Sequence, residues 1–169
     1  MAGYGSDGEF ETWLADNGLT LPAGAPAVAA LRQRGSDYLD ATYGPLLQCS
    51  SPTGGLDQDR AWPRTGHRVH GQLLADSVIP AAWVRASYRA AWLEATNPGW
   101  ASGSVDPNRR VKRQKVDVIE REFFDSAAAA EGGVSGVVGN VDAGIAGMVA
   151  PYLCPELDGI GIGIWSIGP

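Results

Sequence analysis

The residues best placed to do chemistry in this 169-residue chain are His67 and His70, an H-x-x-H pair. On a helix such a pair could hold a metal, but Gly66 and Gly71 bracket this one in a loop. No third ligand follows at a recognisable spacing, so the pair reads as two exposed loop histidines. Asp57 and Asp59 begin like a calcium loop, but Arg60 and Ala61 break the ligand pattern. Cys49, flanked by Gln48 and Ser50 with no His nearby, makes a poor nucleophile. With Cys154 it makes two cysteines, too few for a disulfide framework or a zinc cage. Gly159, Gly161 and Gly163 alternate with Ile and lack the spacing that cradles phosphate, and no G-x-S-x-G or dinucleotide fingerprint occurs. The expectation is a protein without catalysis, cofactor or metal.

Charge is the more conspicuous signal. Arg109, Arg110, Lys112, Arg113 and Lys115 place five cations within seven residues. The whole chain carries −6, so subtracting those five leaves −11 on the remainder. A local contact with DNA phosphates or with an acidic protein surface is one reading. A solvated hairpin whose charges are partly met by Glu120 and Glu122 is the other. The overall negative charge argues against a protein whose whole surface wraps nucleic acid.

The elements that must position these residues are mainly helical. Ser6 and Asp7 can cap a helix over about residues 9–17, where Phe10, Trp13 and Leu14 share one face and Asn17-Gly18 ends it. A second helix over about 27–43 carries a stripe of Val28, Leu31, Gly35, Tyr38, Leu39 and Thr42, and Gly35 within it suggests a close neighbour. Residues 46–80 read as one long loop around a short Trp62-Pro63 segment. The third helix, about 80–96, has one face of Ile79, Trp83, Ala86, Ala90 and Leu93 and a second of Val84, Tyr88, Ala91 and Ala95. A helix apolar on two sides belongs at the centre of its bundle.

RRVKRQKVDVIEREFF, residues 109–124, follows a strand grammar and predicts a β-hairpin turning at Asp117-Val118. That register sets Lys115 opposite Glu120, Arg113 opposite Glu122 and Val111 opposite Phe124, and each charge pair favours it by a few tenths of a kcal/mol. A last helix is expected over about 141–153, with Ile145, Met148, Val149 and Tyr152 inward. The fold class is therefore mainly α: a small helical bundle over residues 1–154 with one hairpin arm, then an extended tail over 155–169. No apolar run approaches the roughly 18 residues a membrane span needs. MAGYGSDGEFE also lacks the basic and apolar regions of a secretory signal, so a cytoplasmic product is expected.

Five segments in this order carry a resemblance: RGSDYLDATYG (34–44), RAWPRTG (60–66), VIPAAWVRASYRAAW (78–92), RRVKRQKVDVIEREFF (109–124) and MVAPYL (148–153). Together they resemble the head–tail connector adaptor family of tailed phages, whose sequences often carry the label DnaT-like single-stranded-DNA-binding. At Asp117 this chain departs from relatives that tend to carry Gly at the hairpin turn. The resemblance implies a virion neck protein, made in the host cytoplasm, that forms a ring expected to be dodecameric beneath the portal. Implied partners are further copies of itself, the portal, and a stopper or tail-completion protein, with double-stranded DNA passing through unbound and no membrane. Single-stranded-DNA binding is the rival function, and it would need exposed aromatic platforms in a basic groove.

Three segments are the candidate docking residues. Trp62, Pro63 and Arg64 form an anchor: a large ring, a fixed backbone and a guanidinium free to pair with a carboxylate. Trp62 alone could equally plug its own core. Arg109, Arg110, Lys112, Arg113 and Lys115 are expected to reach a neighbouring subunit or the portal. In the tail, Ile160, Ile162 and Ile164 alternate with glycines at the strand period, followed by Trp165 and Ile167. Such a strand alone cannot satisfy its own N–H and C=O groups, so it is expected to add to a partner's sheet, with Trp165 as anchor; folding back on its own bundle is the alternative.

Overall fold

A computed structural model describes residues 2–102, 113–116, 119–122 and 140–155. It is mainly α-helical, as expected. Helix α1, Asp7–Asp16, starts from Ser6, whose Oγ accepts the Glu9 N–H at 3.2 Å while the Glu9 carboxylate accepts the Ser6 N–H at 2.7 Å. This reciprocal capping draws Asp7 and Gly8 into the first turn, earlier than the apolar spacing alone predicts. Gly18, at φ 64°, ends the helix in the left-handed region.

Helices α2 (Val28–Tyr43) and α3 (Ala81–Thr96) form the central pair. The expected close approach at Gly35 is real: a Cβ there would lie 2.3 Å from the Ser87 carbonyl oxygen and 2.7 Å from the Ala91 nitrogen. Both faces of α3 are buried. Trp83, Ala86 and Ala90 join a cluster with Tyr38, Leu39, Leu47, Trp62, Ile145 and Val149, while Tyr88, Ala91 and Ala95 pack with Phe10, Leu14 and Leu31. Ile79 is a correction. It precedes Pro80 and the helix proper, so helical spacing does not govern it, and it remains 38% exposed.

The stretch read as one long loop is more ordered than that. It contains 3₁₀ turns at Gly44–Leu47 and Gly55–Asp57 and four two-residue strands. Strand β1 (Ser51–Pro52) pairs antiparallel with β2 (Arg64–Thr65), and β3 (Arg68–Val69) with β4 (Gln72–Leu73). Strands this short carry no period in the sequence, so only the folded chain reveals them.

Strands β5 (Arg113–Val116) and β6 (Ile119–Glu122) pair in the expected register, Arg113 facing Glu122 and Lys115 facing Glu120. The Val111–Phe124 pair, the turn at Asp117-Val118 and the tail lie outside the described residues. Helix α4 is shorter than expected, Ala143–Val149, and passes into a 3₁₀ turn over Ala150–Tyr152. Pro151 explains the change: it has no N–H to donate, and its ring crowds the carbonyl four residues back. Of the expected inward residues, Ile145 and Val149 are buried, whereas Met148 and Tyr152 are only partly so. Asp142 caps α4 by accepting the Ile145 N–H at 2.9 Å, and it pairs through both oxygens with Arg89 at 2.6 and 3.0 Å. The guanidinium holds the Asp142 carboxyl below the usual carboxylate range. That pair ties α4 to α3.

Candidate functional site

The Trp-Pro-Arg segment sits inside the molecule. Trp62 is 1% exposed, and its ring lies edge-on to His67 at 4.7 Å, Trp83 at 5.9 Å and Tyr152 at 6.2 Å. Pro63 follows it through a cis peptide bond. Arg64 is buried and meets no carboxylate among the described residues; this corrects the expectation of a free guanidinium. It donates to the Leu47 carbonyl at 2.8 Å, Ser50 Oγ at 2.7 Å, the Ala61 carbonyl at 3.1 Å and the Ser50 carbonyl. A planar fork with five N–H donors suits this work, gathering several carbonyls of an irregular loop at one point. Burial lowers the Arg64 pKa from its ordinary value.

The histidines divide. His70 is exposed as expected, but His67 is 1% exposed, a second correction. The bracketing glycines marked a loop correctly but gave no sign that the loop folds its His67 ring onto Trp62. Ser50 Oγ lies 2.8 Å from His67 Nδ1. That oxygen accepts from Arg64 Nε, and its own proton can go to the Leu47 carbonyl at 3.3 Å or to His67 Nδ1. A serine within reach of a histidine is the beginning of a nucleophile–base pair. Here the Arg64 guanidinium draws charge away from the hydroxyl oxygen, and no carboxylate among the described residues orients the ring. The contact serves the architecture of the loop. No group of three or more His, Cys, Asp and Glu that could hold a metal exists among the described residues.

Burial, and next the nearby Arg64 charge, lower the His67 pKa below its ordinary value of 6.5. The unfolded chain then binds more protons than the folded one once the pH falls below about 6.5. Stability is expected to be flat well above the ordinary histidine pKa and to decline as the pH falls through about 6.5 and below it. Thermal midpoints across this window should fall for the native chain and much less for His67→Gln. Parallel profiles would assign the effect elsewhere.

A second polar cluster joins the N-terminal arm, α2 and the loop. Tyr4 donates to Asp40 at 2.6 Å and accepts the Trp62 N–H at 3.2 Å. Arg60 bridges Asp37 at 2.7 Å and Asp40 at 3.2 Å, with its guanidinium 5.6 Å from the Tyr4 ring centroid. Burial raises the Asp40 pKa, opposed by the hydrogen bonds from Tyr4 and Arg60, and drives the Tyr4 hydroxyl well above its ordinary range. Arg32 is used similarly, donating to Asp7 at 2.6 Å and to the carbonyls of Gly3, Tyr4 and Gly5.

A groove of ≈ 620 Å³ opens between α1 and α3, walled by Trp13, Ile79, Val84 and Tyr88 and rimmed by Glu9, Asp16 and Arg85. Of the basic run, Arg113 and Lys115 lie on β5, while Arg109, Arg110 and Lys112 fall outside the described residues, as do Ile160, Ile162, Ile164, Trp165 and Ile167. The two cysteines, read separately in the sequence, are joined: Cys49 and Cys154 form a disulfide with their Cα atoms 5.6 Å apart. An even cysteine count was the only hint of it, and a separation of 105 residues concealed the proximity.

Residues 3–157 match the family model described as putative DnaT-like ssDNA binding protein. The chain belongs to that family. No curated protein and no solved structure matches it. The matched range spans the helices, the hairpin strands and both cysteines of this chain. Among the described residues no helix is long and apolar enough to cross a membrane.

Proposed function

We propose that this family member is a structural adaptor of a tailed-phage neck, a ring subunit that links the portal to a stopper or tail protein while DNA passes through. The observation that carries this reading is where the cations and aromatic rings go. Arg32, Arg60, Arg64 and Arg89 are committed to internal carbonyls and carboxylates, and Phe10, Trp62 and Trp83 are 0–1% exposed. These groups build a rigid body. None of these seven groups is free to grip phosphate or stack on bases, the contacts that single-strand binding uses. The five-segment resemblance and the net charge of −6 support the same reading, since a channel wall that attracted phosphate would retard the genome. Subunit or portal contacts would fall to the basic hairpin and the Ile/Gly tail.

The family's description favours a second reading, binding of single-stranded DNA, with the cations of residues 109–115 as the footprint. Two measurements separate the readings: titration of a labelled oligonucleotide at physiological salt, and solution size of the protein alone and mixed with portal. The adaptor reading expects no micromolar affinity and a ring-sized species alone or on the portal. Micromolar, salt-sensitive binding by a protein that stays monomeric with portal would establish the second reading instead.

A further inference from the structure

The Cys49–Cys154 bond adds a covalent link between two segments that also touch through a few noncovalent contacts. Residues 150–155 are held to the loop by the Cys154 N–H donating to the Leu46 carbonyl at 3.0 Å, by the Tyr152 ring against Trp62, and by partial burial of Leu153. Pro151 and Pro155 lie within the segment, so two of its six residues have no N–H to donate. The bond closes a loop of 105 residues between the connector following α2 and the last described turn of the chain. Closing a loop that long strongly restricts the unfolded chain. The Cys49 side is exposed and Cys154 only partly so, which puts the sulfurs within reach of small thiols in solution.

We infer that this bond is a reversible thiol–disulfide clamp that fixes the root of the C-terminal tail to the loop, independently of what the tail or hairpin docks to. The asymmetry of the site sets the direction of exchange. A small thiolate, RS⁻, attacks the exposed Cys49 sulfur, the S–S bond breaks, and its electron pair leaves on the Cys154 sulfur. That sulfur accepts the Cys49 backbone N–H at 2.9 Å, which stabilises charge on it. A second RS⁻ then attacks the outer sulfur of the mixed disulfide, releasing RSSR and the Cys49 thiolate. Oxidation runs the same steps backwards, with a small-molecule disulfide as the oxidant reduced to two thiols. A chain made in a reducing compartment thus carries two thiols, and the clamp closes when the protein leaves it.

The test equilibrates the intact, folded protein in oxidised or reduced glutathione, then traps free thiols by alkylation for mass measurement. No alkylated thiol is expected in the first state and two in the second, exchanging within minutes to hours without denaturant. Reduction should lower the thermal midpoint by roughly 5–15 °C. Amide resonances should shift for residues 46–50 and 150–155 and stay in place for α1. A Cys49→Ser/Cys154→Ser variant should resemble the reduced protein and ignore glutathione; the native chain in its two states carries the test if that variant does not fold. Thiols that remain free in oxidised glutathione, an unchanged midpoint, or shifts spread through α1 would each overturn the clamp.

Discussion

Trp83→Ala is expected to lower stability by about 3–5 kcal/mol, a large part of what a domain of this size possesses. Trp83 is fully buried on α3, where it meets Trp62 edge-on at 5.9 Å and shares a cluster with Tyr38, Leu39, Ile145 and Val149. Removing its ring opens a cavity where α2, α3, α4 and the loop converge. These elements restrain one another, so the cavity cannot collapse cheaply. The indole N–H is buried without a partner, so packing rather than hydrogen bonding makes the contribution. Trp83→Phe, which keeps an aromatic ring and discards that N–H, should recover much of the loss. Denaturant midpoints of the two variants check this: near-equal midpoints for Trp83→Ala and the native chain would show that the side chain is not the centre of the core.

Gly35→Ala is the second large effect, and its sign runs against helix propensity. Alanine in place of glycine inside a helix gains about 1 kcal/mol where nothing obstructs it. At Gly35 the added methyl would meet the Ser87 carbonyl at 2.3 Å and the Ala91 nitrogen at 2.7 Å, both backbone atoms of α3. No rotamer change relieves such a contact, so α2 and α3 must separate along their shared seam. Overpacking of this kind costs up to about 3 kcal/mol, leaving a net loss on the order of 2 kcal/mol. Gly147 on α4 supplies the contrast, since a Cβ there meets nothing within 4 Å. Gly147→Ala should therefore stabilise by up to about 1 kcal/mol. Opposite shifts of the two midpoints are the expected result; equal shifts would mean that the α2–α3 contact yields more easily than its geometry requires.

The elements whose cause is local are legible in the chain alone. Capping at Ser6, the stop at Asn17-Gly18, the stripe of α2 and the two apolar faces of α3 each follow from residue type at a period of 3.6, and the structure contains them within a few residues. The hairpin register was legible because two opposite-charge pairs select the same alignment. The 46–80 region takes its form from long-range packing. Trp62 read equally well as an outward anchor or an inward plug, because a buried ring and an exposed one look alike in sequence. Arg64 and His67 read as surface groups, since charge and polarity normally keep such residues in water. The fold buries both: Arg64 spreads its donors over the Leu47, Ser50 and Ala61 carbonyls, and His67 packs its ring on Trp62 beside Ser50. The Cys49–Cys154 bond belongs with them: contacts across 105 residues depend on how helices pack, and no local pattern encodes that.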